Sequence, residues 1–116
     1  MKSKKLFAEI TIYSDSGEFL TPRRVQLLQA IKEHGSILQA SKQISMSYRN
    51  AWLCVQDMNQ TMNLKLVDSN NHKGSFLTNE GKFIIDMYHG IQKSCAYGIS
   101  YMSDNSRKNK KESYEY

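Results

Sequence analysis

Residues 35–59, GSILQASKQISMSYRNAWLCVQDMN, constrain the fold of this chain most, because they read as two short helices around a tight turn. Ser36 is a favourable N-cap, and Gln39 three residues later completes a capping-box arrangement. Ile37, Ala40, Ser41 and Ile44 then recur at helical spacing on one small face. Ile44-Ser45-Met46 forms the turn, with Met46 placed to plug the angle between the helices. Ser47 caps a second helix whose inward face is Ala51, Val55 and Met58. The small side chain of Ala40 lets the two helices approach closely, as a helix-turn-helix requires. Tyr48, Arg49 and Asn50 open the second helix with side chains that reach base edges or phosphates if it enters a major groove. Spacing alone leaves a second reading, an ordinary helical hairpin in a small core.

A chain of 116 residues has room for one domain and a single core. A net charge of +5 and a pI near 9.2 favour anionic partners without requiring one. Cys54 and Cys95 fall on different predicted helices and form no metal-like spacing, which points to reduced, partly buried thiols. His34, His72 and His89 add no zinc-ligand pattern. There is no nucleophile–base pairing, no Gly-rich phosphate loop and no distinctive acid pair, so no enzyme activity, cofactor or metal is expected. No apolar run approaches a membrane span, and MKSKKLFAEI lacks a signal-peptide core. A cytoplasmic protein with no membrane partner is the expectation.

Along the chain, residues 5–13 alternate, with Leu6, Ala8, Ile10 and Ile12 set against Phe7, Glu9, Thr11 and Tyr13, which predicts a strand. Ser14-Asp15-Ser16-Gly17 ends it in a turn. Thr21 and Pro22 open a helix that buries Val25, Leu27, Leu28 and Ile31 and stops at Gly35. Arg23 and Arg24 lie in its first turn, where the helix dipole disfavours cations, so solvent or a phosphate is expected to hold them. Residues 64–69 and 75–78 predict two short strands around a turn-forming loop, either a wing or a plain surface hairpin. Trp52 invites a base-stacking reading but is expected in the core, packed against that hairpin or the first helix. Thr78 caps a last helix, about 79–97, with Phe83, Ile84, Met87, Tyr88 and Ile91 on a broad apolar stripe. That stripe exceeds the needs of one small core and predicts burial against a second subunit. Residues 1–102 thus read as the folded domain, and 103–116 as a polar, charged tail expected to be disordered.

In this order, strand, helix, helix-turn-helix, wing and long helix, the chain resembles the N-terminal DNA-binding domain of ModE-type molybdate-responsive transcriptional regulators, relatives of the LysR winged-helix class. The matching residues are Pro22-Arg23-Arg24, Leu27-Leu28, Gly35-Ser36-Ile37, Gln39-Ala40, Ile44-Ser45-Met46-Ser47-Tyr48, Ala51-Trp52, Met58-Asn59-Gln60, Leu66-Val67, Leu77-Thr78 and Gly81. They cover about residues 5–97, and the Ser-Tyr-basic-x-Ala-Trp run followed by Met-Asn is more specific than a bare helix-turn-helix. The resemblance implies a mainly α fold with a small β component, a winged helix-turn-helix with an N-terminal strand and a long C-terminal dimerisation helix. It implies a homodimer on a pseudo-palindromic double-stranded DNA operator, with a recognition helix at about 47–60 and a short wing at about 66–78.

Within that reading Arg49 is the foremost DNA-binding candidate, with Tyr48 and Asn50 beside it. Ser47 serves mainly as a cap, while Ser36 and Gln39 begin the preceding helix near the phosphates. Arg23, Arg24, Lys42 and Lys73 are candidate backbone contacts. The chain departs from the family at Ser45, where glycine is common, and its wing is shorter. Full-length regulators of this type carry C-terminal oxyanion-binding domains, and this chain ends about where those begin. Molybdate is therefore not expected to act by the family's route, and any effector stays open. The alternative is a winged-helix module for protein–protein interaction or assembly, working through its last helix or its tail.

Overall fold

The computed structural model describes residues 6–70 and 74–108, with side chains as far as Met102, so Lys73 and residues 109–116 lie outside the described part. The elements run β1 (Ile12–Ser14), β2 (Gly17–Leu20), α1 (Pro22–His34), α2 (Ile37–Gln43), α3 (Tyr48–Met62), β3 (Val67–Asn70), β4 (Gly74–Leu77) and α4 (Asn79–Lys108). The chain divides into two compact units, one of Ile10–Tyr88 and one of Met1–Glu9 with His89–Tyr116.

The first unit carries the core. Leu20, Leu27, Leu28, Ile31, Val55, Met58 and Leu66 are buried in it, as are Ala40 on α2 and Ala51 on α3, both fully. With no side chain beyond Cβ at either position, the two helices come together as the sequence predicts. The turn between them closes on Ile44 N–H to Ala40 O (3.1 Å) and Met46 N–H to Ser41 O (2.8 Å). Ser45 takes a left-handed conformation there, φ 56°. A side chain in that region costs roughly 1–2 kcal/mol, and glycine gives back about 0.4–1 kcal/mol of this through its freer unfolded chain. Ser45→Gly should therefore raise stability by up to about 1 kcal/mol. The check is a urea titration in which the midpoint rises and the slope is unchanged.

The N-terminal region differs from expectation. Only Ile12–Ser14 is strand, and it pairs antiparallel with β2, a strand the alternation did not indicate, through Ile12↔Leu20, Tyr13↔Glu18 and Ser14↔Gly17 with an intervening bulge. Residues 6–11 have no ladder. Alternation reports which side of a segment is sheltered, and Ala8, Ile10 and Ile12 are indeed half-buried, but it does not supply a pairing partner. Ile10 is held instead by a side chain, the Tyr88 hydroxyl, which donates to its carbonyl (2.7 Å) and lies 3.4 Å from its N–H.

β3 and β4 form the predicted hairpin, antiparallel from Val67↔Leu77 to Asn70↔Gly74. Asn59 on α3 ties it down: its Oδ1 accepts from Leu66 N–H (2.8 Å) and Val67 N–H (3.3 Å), and its Nδ2 donates to Val67 O (3.0 Å). On the other strand Ser75 N–H donates to Gly35 O, the carbonyl that ends α1, at 3.0 Å. Gly74 at φ 99° permits this approach, since a Cβ there would run into the Gly35 carbonyl oxygen. The Thr78 hydroxyl donates to Lys65 O (2.6 Å) while accepting from Gly81 N–H (3.1 Å), so it caps α4 and holds the segment that leads into β3.

The last helix is longer than the predicted 79–97, continuing through part of the expected tail to Lys108. Beyond Tyr97 no proline intervenes, and Tyr97 and Tyr101 stack at the helical i, i+4 spacing with ring centroids 6.5 Å apart. Two residues of the expected subunit-facing stripe are corrected: Ile84 and Tyr88 are buried in the chain's own core. Phe83, Met87 and Ile91 are exposed.

Candidate nucleic-acid interface

Helix capping sets the geometry of the site. Ser36 Oγ accepts from Gln39 N–H and Ser47 Oγ from Asn50 N–H, each at 3.1 Å, so both hydroxyls fix where α2 and α3 begin. Ala51, Val55 and Met58 turn one side of α3 into the core. Tyr48, Arg49 and Asn50 are consequently displayed on the outside of its first turn. No hydrogen bond or ion pair engages the Arg49 guanidinium among the described residues, so its planar fork of donors is open to a guanine edge or a phosphate. Gln39 and Lys42 are exposed on α2.

The two arginines of α1 are employed differently from expectation. Arg24 Nη1 lies 2.8 Å from Asp57 Oδ2 and within 3.0 Å of the carbonyl oxygens of Glu18 and Phe19, with its side chain 18% exposed. Nη1 is thus committed to the protein, and through it Arg24 clamps α1 to β2 and α3. Charge-assisted hydrogen bonds of this kind contribute roughly 1.5–3 kcal/mol. Arg24→Ala should lose stability on that scale, read by urea unfolding, because it leaves two carbonyls and Asp57 without their donor. Arg23 remains exposed, but Nη2 donates to Ser45 O (3.1 Å) and Nη1 to Gln26 Oε1 (3.2 Å), bracing the helix-turn-helix corner. Protein carbonyls thus satisfy the cations that the helix dipole disfavours. On the wing, Ser69 N–H and then the Lys65 ammonium hold the Asp68 carboxyl below its ordinary range. That contribution is present above the ordinary carboxylate pKa and is lost as pH falls through the lowered value.

Trp52 overturns its expected place in the core. It is 44% exposed, and with Tyr48, Arg49 and Leu53 it lines a shallow depression of about 460 Å³ on the outer face of α3. The signal was available in the spacing: 48 and 52, like 49 and 53, are i, i+4 pairs off the Ala51–Val55–Met58 side. The same spacing places Leu53 there, a residue the motif did not single out. Cys54 is half-buried and Cys95 exposed, both as free thiols. Among the described residues no group of three or more His, Cys, Asp or Glu side chains could hold a metal, and no helix is long and apolar enough to cross a membrane.

Comparison with known proteins agrees with this geometry. Residues 22–82 match the family model described as bacterial regulatory helix-turn-helix protein, lysR family. The chain is similar to the molybdenum transport protein ModE of Azotobacter vinelandii, 29% identical over 96 residues that make up 79% of this chain and 36% of the relative. It is also similar to the transcriptional regulator ModE of Haemophilus influenzae, 30% identical over 101 residues, 84% of this chain and 40% of that protein. The chain thus spans well under half the length of these relatives. Among solved structures, the CbnR DNA-binding domain in complex with DNA superposes with a TM-score of 0.52 at 21% identity, covering 73% of this chain and 92% of that one. That likeness confirms the winged helix-turn-helix fold and its long following helix. With the family match spanning both helices, the turn, the wing and the start of α4, the chain belongs to the lysR family of bacterial regulatory helix-turn-helix proteins.

Proposed function

We propose that this chain is a sequence-specific transcriptional regulator that binds double-stranded DNA as a homodimer, with α3 in the major groove. The observation that carries this reading is the outward first turn of α3, where Tyr48, Arg49 and Asn50 are exposed and Arg49 has no protein partner among the described residues. Ser36, Gln39 and Lys42 on α2 face the backbone in this arrangement, and Phe83, Met87 and Ile91 on α4 are the surface offered to a second subunit. Net charge of +5 supports an anionic partner.

Selection of bound sequences from a random double-stranded DNA pool at fixed salt tests the reading. Enrichment of an inverted repeat is the expected result. Weak, salt-sensitive binding without any enriched sequence would make the charge generic and remove the regulator reading. The alternative, a winged-helix interaction module working through its last helix or its tail, would then take its place. Subunit number has a separate check: light scattering at micromolar concentration should give twice the 13.4 kDa chain mass, and a clean monomer removes the two-half-site arrangement.

A further inference from the structure

We infer that Tyr48 and Trp52 form an apolar slot that reads the 5-methyl group of a thymine next to the base contacted by Arg49. The inference rests on the DNA-binding reading above and names the base chemistry the same helix would select. Its starting point is an incongruity on α3. A face turned to solvent presents Tyr48, Trp52 and Leu53, 51%, 44% and 46% exposed, around one arginine. Exposing three large apolar side chains forgoes their burial, and pressing them against donors and acceptors would strand those polar groups without partners. The floor of a major groove is a row of donors and acceptors interrupted by a single kind of apolar protrusion, the thymine methyl.

The geometry suits that group. Tyr48 and Trp52 stand one helical turn apart, as do Arg49 and Leu53, and the four enclose a shallow depression rather than a deep cavity. A methyl needs a shallow, apolar receptor. Tyrosine and tryptophan also keep a polar end, a hydroxyl and an indole N–H, which can face water or a phosphate while the rings meet the methyl. Arg49 within the same depression supplies the directional hydrogen bonds to a neighbouring guanine. Together the face selects a thymine within one base pair of that guanine.

The test uses the duplex recovered by selection, with each thymine replaced in turn by deoxyuridine, which keeps the base pair and removes only the methyl. Affinity is read by fluorescence anisotropy at fixed salt for the wild type, Trp52→Ala and Tyr48→Ala. One or two positions per half-site should lose roughly three- to fivefold in the wild type, the value of one buried methyl. That loss should vanish in Trp52→Ala, a coupling that a double-substitution cycle isolates. Uracil duplexes that bind the wild type as tightly as thymine duplexes overturn the slot while leaving the regulator reading intact. A pool that yields no enriched sequence removes both. A penalty that persists in both variants also overturns it, as does a Trp52→Ala protein that changes subunit mass yet discriminates thymine normally. The last result assigns the face to a protein partner. The wild-type series needs no variant to fold.

Discussion

Gly81→Ala should cost up to about 2 kcal/mol of stability, although it replaces glycine by the best helix former within a helix. The propensity gain is about 1 kcal/mol. Against it, a Cβ at Gly81 would overlap the Leu66 carbonyl oxygen and come within 3.1 Å of the Leu77 Cδ2 methyl. The carbonyl has little freedom to retreat, because Thr78 N–H donates to it at 3.0 Å and the Thr78 hydroxyl lies 3.1 Å away. Forced overpacking of this kind costs about 1–3 kcal/mol and more where backbone must shift, so the clash outweighs propensity. Gly90 lies in the same helix, where an added Cβ would meet nothing within 4 Å, and Gly90→Ala should gain about 1 kcal/mol. Urea unfolding of the two variants should therefore move in opposite directions. A stabilised Gly81→Ala protein would show that α4 does not start this close to the Leu66 carbonyl.

Arg49→Ala should lose about 1–3 kcal/mol of affinity for the selected site, five- to 150-fold, with relaxed preference at one position per half-site. The two possible partners of its guanidinium leave different signatures. If Arg49 bonds a guanine, its removal weakens the cognate site far more than random DNA. If it bonds a phosphate, its removal weakens all sequences alike and lowers the salt slope by about one. Arg49 is exposed and bonded to nothing among the described residues, so its removal should leave urea unfolding within about 0.5 kcal/mol of wild type. Retained discrimination in a folded Arg49→Ala protein would sink the assignment. Arg24→Ala gives the reverse pattern, with stability lost first and affinity following the fraction folded.

The contrast between those arginines shows where sequence reading succeeds. Caps at Thr21, Ser36 and Ser47 and the left-handed Gly35 were legible because each involves residues within a few positions of one another. The role of Arg24 was not. Its acceptors are backbone oxygens of Glu18 and Phe19 and a carboxylate on α3, and side-chain identity does not label a carbonyl that has been left open by a turn. Trp52 failed for another reason: a general preference for burying indoles was set above the helical spacing that placed it outside. β2 was missed because Gly17–Leu20 is too short to show a period of two. The outward position of the first turn of α3 was legible in the Ala51–Val55–Met58 spacing, whereas the separate protein contacts of Arg23 and Arg24 needed three dimensions.

The Thr78 hydroxyl has a consequence for how this molecule opens. A single oxygen both closes the first turn of α4 and holds the carbonyl of Lys65, while Asn59 binds the amides of Leu66 and Val67 from the other side. Fraying α4 at its start therefore releases the segment that leads into the hairpin, and peeling the hairpin away uncaps the helix. In amide hydrogen exchange the protons of Leu66, Thr78 and Gly81 should be lost as one cooperative group, with a shared opening free energy, rather than as a fraying helix end beside an independent loop.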